Sequence, residues 1–263
     1  ETFLLLETER EIKYIRGLDF VNGNGVPTPL TISGSDIAGT ELRSRRFAGK
    51  TWRLGDVAYS MPTAVGKPAE EYHLLYRDHS YADFAHRYEK RRNVIYAGAN
   101  DGMLHAFNGG FYDDRKKQFC REITAGYNPY DQDLSNDVGC VPDASTSQPE
   151  LGAELWAYIP YNLLPHLHWL TETAYRHSYY VDQKPRVFDA KIFPADAVHP
   201  HGWGTVMVVG MRFGGASIVA DVAKAYGAAG KIEDPARDVT MKSAFLLFDI
   251  TNPEDKPRLL AEI

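Results

Sequence analysis

The sequence predicts a mainly β protein and, within that class, the first part of a β-propeller with short helices and long insertions. Three observations support this: an apolar hairpin in the middle of the chain, a second glycine-bent apolar segment with the same spacing, and further short strand patterns separated by turn residues. A β-sandwich with long loops is the alternative that the same pattern allows.

The central hairpin lies in residues 91–110, RRNVIYAGANDGMLHAFNGG. Both arms are apolar at most positions, so we expect other sheets to cover both faces. Between the arms stands a cluster suited to positive φ: Gly98, Asn100, Asp101 and Gly102. We interpret Asn100-Asp101-Gly102 as a turn and not as a catalytic site, because Asn and Asp accept left-handed backbone and bond local amides.

A weak internal repeat connects this hairpin to a later segment. Val94, Gly98 and Gly102 recur at one constant offset as Val206, Gly210 and Gly214. The later segment predicts a strand at 205–210 that turns at the glycines and returns at 216–222 as a second hairpin. A propeller closes with about four or more four-stranded blades, so this chain predicts only the first part of a ring. The open edge would be covered by further chain, by a partner or by local rearrangement.

The remaining elements divide the chain into an N-terminal unit at residues 1–40, a helix and linker, and a propeller region at 41–263. Within the first unit, residues 4–16 predict a helix and 21–40 a loop. Residues 111–152 have little apolar periodicity and predict a surface insertion. Further strands are predicted at 52–58, 62–65, 154–160, 186–193, 243–250 and 258–263, helices at 79–90 and 163–175, and a polar loop or frayed helix at 224–238.

Composition narrows the range of partners. The net charge is -6, from 29 basic and 35 acidic residues spread along the chain, so no cationic face is expected to bind nucleic acid. No apolar run approaches the roughly 20 residues of a membrane-spanning helix, and no signal peptide opens the sequence. We therefore expect a soluble mature product or excised segment without membrane insertion.

The predicted insertion carries the candidate sites. Cys120 and Cys140 are the two cysteines of the chain, and in an oxidising compartment they would form a disulfide; two free thiols are the alternative. A second candidate site has the spacing that opens a calcium loop, with an oxygen-bearing side chain at every other position. Its residues are Asp131, Asp133, Ser135 and Asp137. This calcium pattern is incomplete, because Asn136 and Pro142 stand where such a loop has Gly and Glu; a solvated acidic loop is the alternative.

Two other patterns are weaker. The pairs His166/His168 and His199/His201 have HxH spacing, but no Cys or carboxylate stands at a suitable sequence distance to complete a metal site. The aromatic residues of 161–180, YNLLPHLHWLTETAYRHSYY, predict core packing of a helix on the sheets, with an exposed docking stripe as the alternative.

Seven blocks in order resemble a known family, the type IV pilus biogenesis and tip-adhesin proteins of the PilC/PilY type, in their C-terminal β-propeller. They are IRGLDF from Ile15, WRLGDVAYSMPTAVGKP from Trp52, VIYAGANDGMLHAFNGG from Val94, GAELWAYIPYNLLPHLHWLT from Gly152, YYVDQKPRVFDAKIF from Tyr179, GWGTVMVVGMRFGGASIVADV from Gly202 and FLLFDITNP from Phe245.

The resemblance implies a modified quinoprotein-like propeller on a large exported protein at the bacterial cell surface, the pilus tip or the periplasm. Its implied work is non-enzymatic: pilus assembly, the balance of extension and retraction, and surface adhesion. Implied partners are minor pilins, the remainder of the same protein, and a host or surface ligand. The family's Asp-rich calcium loop, DxDxNxxxD, is not found in this chain, so that site is not carried over.

Two other functions stay open at this point. A pyrroloquinoline-quinone dehydrogenase uses a related propeller, with Ca²⁺, a base and a tryptophan wall around the quinone. The four tryptophans do not stand in a regular repeat: Trp52, Trp156, Trp169 and Trp203. A structural scaffold in another surface filament is the third interpretation.

Overall fold

The structure, a computed structural model, describes residues 2–113, 117–122, 148–221 and 238–263. Its helices are α1 (Thr2–Ile15), α2 (Tyr72–Leu75), α3 (His79–Arg87) and α4 (Leu167–Thr171), with 3-10 turns at Tyr161–His166 and Pro200–Gly202. Its strands are β1 (Leu30–Ile32), β2 (Ser35–Ile37), β3 (Arg46–Phe47), β4 (Lys50–Thr51), β5 (Thr63–Val65), β6 (Asn93–Gly98), β7 (Leu104–Asp113), β8 (Gln118–Cys120), β9 (Glu154–Tyr158), β10 (Arg186–Lys191), β11 (Trp203–Gly210), β12 (Ile218–Asp221), β13 (Asp238–Met241), β14 (Phe245–Asp249) and β15 (Arg258–Glu262).

Two four-stranded antiparallel sheets dominate the fold. Sheet 1 has the order β5-β6-β7-β9, and β8 pairs only with the distal end of β7. Sheet 2 has the order β10-β11-β14-β15. The central hairpin predicted from sequence forms the middle of sheet 1, with Ile95 opposite Phe107 and Ala97 opposite His105.

The two sheets share one core. Alternate side chains of sheet 1, including Tyr96 and Leu104, pack with Met207 and Phe248 of sheet 2. The Tyr158 and Phe248 rings meet edge to face at 5.0 Å between centroids, an arrangement that aromatic pairs favour. Leu163 and Leu170, from the helical segment after β9, close one side of this core. The predicted packing of that segment against the sheets is therefore seen for these residues.

Two consecutive arginines just before β6 fasten sheet 1 to sheet 2. The buried guanidinium of Arg91 donates to Thr205 Oγ1 at 2.8 Å and to the Thr251 carbonyl at 3.1 Å. Arg92, also buried, binds both carboxylate oxygens of Glu254 at 2.8 and 3.1 Å. A bidentate arginine fixes geometry as well as charge, so the two sheets are held in one relative position.

The N-terminal helix packs beside this unit through its last turn. Tyr14 is completely buried, and the Arg45 guanidinium lies over its ring with Cζ 3.9 Å from the ring centroid. The predicted helix is thus confirmed to within two residues at each end. The predicted loop at 21–40 contains the small β1–β2 hairpin, which turns at Ser33 and Gly34, both with positive φ.

A second, smaller cluster lies around α3. Asp78 caps the helix by accepting from the Ser80 amide at 3.0 Å. Tyr81 and Phe84 face inward and pack against Trp203 at the start of β11. The cluster places α3 across one end of sheet 2.

The second predicted hairpin is wrong. Strand β11 pairs with β10 and β14, whereas β12 pairs with β13 to form a separate hairpin. The turn after Gly210 leaves the sheet, because Gly214 is pressed against the Tyr180 carbonyl and the chain continues away from β11. The repeat itself holds at strand level, since Val94 and Val206 both lie in the second strand of a four-stranded sheet.

Two other boundaries differ from expectation. Residues 52–58 do not form a strand; there the Gly55 amide donates to the Asp101 side chain and not to a neighbouring strand. The insertion predicted at 111–152 begins later, because residues 111–113 extend β7. The predicted polar loop at 224–238 lies outside the described residues except for Asp238, which begins β13.

The described strands give two blade-like sheets but no closed ring, so the propeller stays a prediction. Among the described residues, no helix has both the length and the apolar character that crossing a bilayer requires.

Candidate functional site

A groove of 870 Å³ lies over the face of sheet 1 that points away from the shared core. Strand alternation creates this face: Leu104 and Ala106 enter the core, so His105 and Phe107 point to the groove. The end of α1 and the segment containing Arg53 form the opposite wall. Three cationic side chains line the groove: Arg16, Arg53 and Lys256.

A buried histidine between two carboxylates forms the floor. His105 Nε2 lies 3.1 Å from both oxygens of Asp101, and Nδ1 lies 2.5 Å from Glu154 Oε1. Burial alone would lower the pKa of His105, but the hydrogen bonds and negative charges of Asp101 and Glu154 outweigh it and raise the pKa above its ordinary value. The geometry therefore favours an imidazolium with both N–H groups occupied.

The turn before β7 positions Asp101. Gly102 has φ +88, and the Asp101 carboxylate accepts from the Met103 amide at 3.1 Å, which agrees with the predicted turn. The same carboxylate also accepts from the Gly55 amide at 2.7 Å. The turn prediction missed this second role, because Gly55 and His105 become partners of Asp101 only through tertiary contact.

A neighbouring cavity of 330 Å³ adjoins the groove on the other side of Asp101. Asn100 connects its wall to the chain after α4: its Nδ2 donates to Asp56 at 2.8 Å and its Oδ1 accepts from the Tyr180 amide at 3.0 Å. Asp56 also meets His177 at 3.0 Å, and its pKa is lowered: burial opposes this, but the bonds to Asn100 and His177 prevail.

Sheet 2 carries a comparable histidine. His199 is buried, with Nε2 at 3.0 Å from Asp249 and Nδ1 at 3.0 Å from Asp196. Its ring stacks on Phe193 at 4.2 Å between centroids.

The two HxH pairs do not converge. His166 is buried, and burial lowers its pKa, whereas His168 is exposed and meets Glu11 at 2.7 Å. His199 faces Asp249, and His201 faces Asp83 at 2.9 Å. Within the described ranges no group of three or more His, Cys, Asp or Glu side chains is arranged so that it could hold a metal ion.

The four tryptophans also lie apart. Trp156 packs against the shared core, Trp203 belongs to the α3 cluster, and Trp52 is exposed. Trp169 meets the buried His166 edge to face at 5.0 Å. These positions form no common wall around a cavity.

The predicted sites of the insertion fall mainly outside the described residues: Asp131, Asp133, Ser135, Asp137 and Cys140. Cys120 is described; it ends β8 and is buried beside the distal end of β7. The calcium loop and the Cys120–Cys140 disulfide therefore stay predictions.

Among the aromatic residues of 161–180, Tyr180 lies in the shared core and Tyr175 packs against it, as predicted. Tyr161 is exposed and Tyr179 is half-buried, so core packing describes only part of the segment.

Comparison with known proteins gives relatives that share one description. No protein-family model matches the chain. A type IV pilus biogenesis factor PilY1 homolog of Xylella fastidiosa is 27% identical over 226 residues, which cover 84% of this chain and 13% of the relative. Type IV pilus biogenesis factor PilY1 of Pseudomonas aeruginosa is 29% identical over 183 residues, covering 67% of this chain and 12% of the relative.

Among solved structures, the crystal structure of the Pseudomonas aeruginosa PilY1 C-terminal domain matches with 22% identity and a TM-score of 0.36, over 76% of this chain and 24% of that one. The chain spans about an eighth of the length of the curated relatives it matches. The curated homologues of this chain are therefore type IV pilus biogenesis factors of the PilY1 type, which confirms the family resemblance seen in the sequence.

Proposed function

We propose that this chain is a non-enzymatic propeller module of an exported, type IV pilus-associated protein. It would act in pilus assembly, in the balance of extension and retraction, and in surface adhesion. The observation that carries the proposal is the similarity to pilus biogenesis factors over most of the chain. Its location would be the bacterial cell surface, the pilus tip or the periplasm.

The strand order supports the propeller. Both sheets are antiparallel and align four strands side by side, with β8 added only at the distal end of β7 in sheet 1. Val94 and Gly98, like Val206 and Gly210, lie in the second of these strands. They pack through one apolar core, as neighbouring blades do. Further blades would come from the remainder of the same protein.

The state of His105 supports binding over catalysis. A general base needs a ring nitrogen that is free to take a proton from a substrate. Both nitrogens of His105 are already bonded to carboxylates, which also neutralise its charge. The cationic side chains that line the groove are Arg16, Arg53 and Lys256, and a partner segment would lie against them.

The insertion is proposed to stabilise a recognition surface. A Cys120–Cys140 disulfide would close the loop, and calcium held by Asp131, Asp133, Ser135 and Asp137 would order it. Minor pilins, and a host or surface ligand, are the proposed partners.

Deletion and complementation in the host test the function. Cells that lack the parent protein but keep the retraction motor should lose surface pili, measured as pilin in the sheared fraction, and re-expression should restore them. A parent protein with Arg16→Glu and Lys256→Glu should restore fewer pili than one with Lys50→Glu, an exposed lysine outside the groove. Unchanged pilus numbers after deletion would overturn the proposal.

An enzyme assay tests the alternative. Purified chain supplied with pyrroloquinoline quinone, Ca²⁺ and an alcohol should not reduce a dye. Turnover above that of heat-denatured protein would favour the dehydrogenase interpretation.

A further inference from the structure

An exposed cluster of three aromatic rings and one arginine stands where the loop before β5 meets the turn after β11. The ring centroids of Tyr59, Tyr179 and Phe213 lie 6.0 to 6.4 Å apart. Phe213 is 63% exposed and Tyr59 46% exposed. We call these three residues and Arg212 the Arg212 patch.

A tight turn fixes the patch in place. Arg212 has φ +49, a left-handed conformation that is unfavourable for residues other than Gly. The turn cannot relax easily, because Met211 is anchored in the core and the Gly215 amide donates to the Tyr179 carbonyl at 2.7 Å. A Cβ on Gly214 would lie 1.5 Å from the Tyr180 carbonyl oxygen. The fold therefore holds Arg212 and Phe213 outward at the tip of a rigid turn.

The guanidinium of Arg212 is held but not neutralised. Its Cζ lies 4.1 Å from the Tyr59 centroid and 4.7 Å from the Phe213 centroid, so the rings hold it by cation–π contact. In the described part of the chain its N–H groups meet no acceptor, and no carboxylate pairs with it. Two acids that contact residues beside the patch make other bonds: Asp56 bonds His177, and Asp182 Oδ1 accepts from the Tyr59 amide.

We propose that the Arg212 patch docks a carboxylate side chain, flanked by apolar residues, on a polypeptide partner. The planar N–H fork of arginine matches a carboxylate with two parallel hydrogen bonds. The rings hold this fork in one position, so less side-chain freedom is lost on pairing than in an ordinary surface ion pair. They also offer apolar contact to the residues beside the carboxylate.

The ring geometry favours a peptide over an acidic sugar. A sugar stacks on an open aromatic face, but the guanidinium lies over Tyr59 and Phe213. The rings of the patch are tilted by 41 to 74° to one another and form no flat platform. Their edges, which carry partial positive charge, suit a carboxylate instead.

NMR titration of the ¹⁵N-labelled 263-residue chain tests the proposal, with the Nε–Hε signal of Arg212 as the reporter. The probes are acetyl-Leu-Asp-Leu-amide and its twin acetyl-Leu-Asn-Leu-amide. The aspartate peptide should shift the Arg212 signal and bind about tenfold more tightly or better, since hydrogen bonds to charged groups contribute about 1.5 kcal/mol or more. Equal binding of the twins would overturn the proposal.

Two variants provide the control. Arg212→Gln should abolish the preference for aspartate. Arg77→Gln should retain it, because Arg77 is also exposed at positive φ but has no ring contact in the described residues. Aspartate preference in Arg212→Gln, or tighter binding of glucuronate than of the peptide, would contradict the assignment. The test uses purified chain, so its outcome does not depend on the pilus role.

Discussion

Sheet 1 and sheet 2 are built alike but differ in what lies beside their buried histidines. Each has four antiparallel strands, and each is associated with a buried histidine between two carboxylates: His105 with Asp101 and Glu154, and His199 with Asp196 and Asp249. Beside sheet 1 the histidine forms the floor of an 870 Å³ groove. Beside sheet 2 the ring of Phe193 covers it.

The difference shows where specificity is added to a repeated unit. The strands supply the shared core, while the segments outside the strands decide what faces the polar cluster: a groove beside His105, and the Phe193 ring beside His199. The end of α1 and the segment containing Arg53 lie opposite sheet 1, and the groove is the space between them and the sheet. Substitutions in each sheet would show whether the two sheets contribute alike to stability and differ in the surfaces that they present.

The largest effect is expected where the sheets are joined. Arg91→Met should lower the free energy of unfolding by about 3–5 kcal/mol, because it leaves the buried Asp189, which bonds Thr205 and Tyr81, without a compensating charge. Urea denaturation measures the loss. Arg258→Met is the control: Arg258 is exposed and 3.5 Å from Asp249, so it should cost below about 1 kcal/mol. Equal losses would show that Arg91 does not join the sheets.

Equivalent glycines of the repeat should respond unequally. Gly98→Ala would place its Cβ 2.3 Å from the Val181 carbonyl oxygen, a backbone atom, and should cost about 1–3 kcal/mol. Gly210→Ala would meet Gln183 Oε1 at 2.0 Å, but this is the end of a flexible side chain that can move away. The thermal midpoint should therefore fall more for Gly98→Ala. The reverse order would contradict the packing described for the two strand ends.

The pH dependence of stability should reveal His105. Because its folded-state pKa is raised, His105 contributes stability below its unfolded pKa of about 6.5, and this contribution is lost as pH rises through the folded value. Between about pH 6 and 9 the wild type should lose more stability than His105→Gln. Parallel pH profiles would show that His105 is not held as an imidazolium.

His166 should make stability depend on pH in the opposite direction to His105. Neither ring nitrogen has a hydrogen-bond partner in the described residues, and burial lowers its pKa. The unfolded chain therefore takes up a proton first as pH falls, and the free energy of unfolding decreases below about pH 6.5. His166→Leu should remove this acid-side loss in urea denaturation from about pH 5 to about pH 7, on both sides of the ordinary pKa. If His166→Leu loses as much stability at low pH as the wild type, other groups cause the loss.

The local sequence pattern was sufficient to predict elements whose turn or cap residues lie within the same segment. The hairpin of β6 and β7 and the helix α3 carry their own turn and cap residues, such as Gly102 and Asp78. The pairing of strands that are distant in the sequence could not be predicted from the sequence. After Gly210 the sequence looks like a hairpin, but β14 takes the position beside β11, because its apolar residues Leu246 and Phe248 complete the shared core.

The site was less predictable than the fold, since it is made by long-range partners. Asp101 was identified only as a turn residue, and His105 had no sequence signal beyond its place in an apolar strand. Glu154 and Gly55 reach them from other segments. The patch at Arg212 was missed for the same reason: its rings come from three separate parts of the chain.

A crystal structure of the whole parent protein would distinguish a propeller from a sandwich. We expect sheets 1 and 2 to be adjacent blades around a common axis, with the Arg91 and Arg92 contacts intact and further four-stranded blades completing the ring. Two sheets closed on each other as the layers of a sandwich, with no radial arrangement, would contradict it.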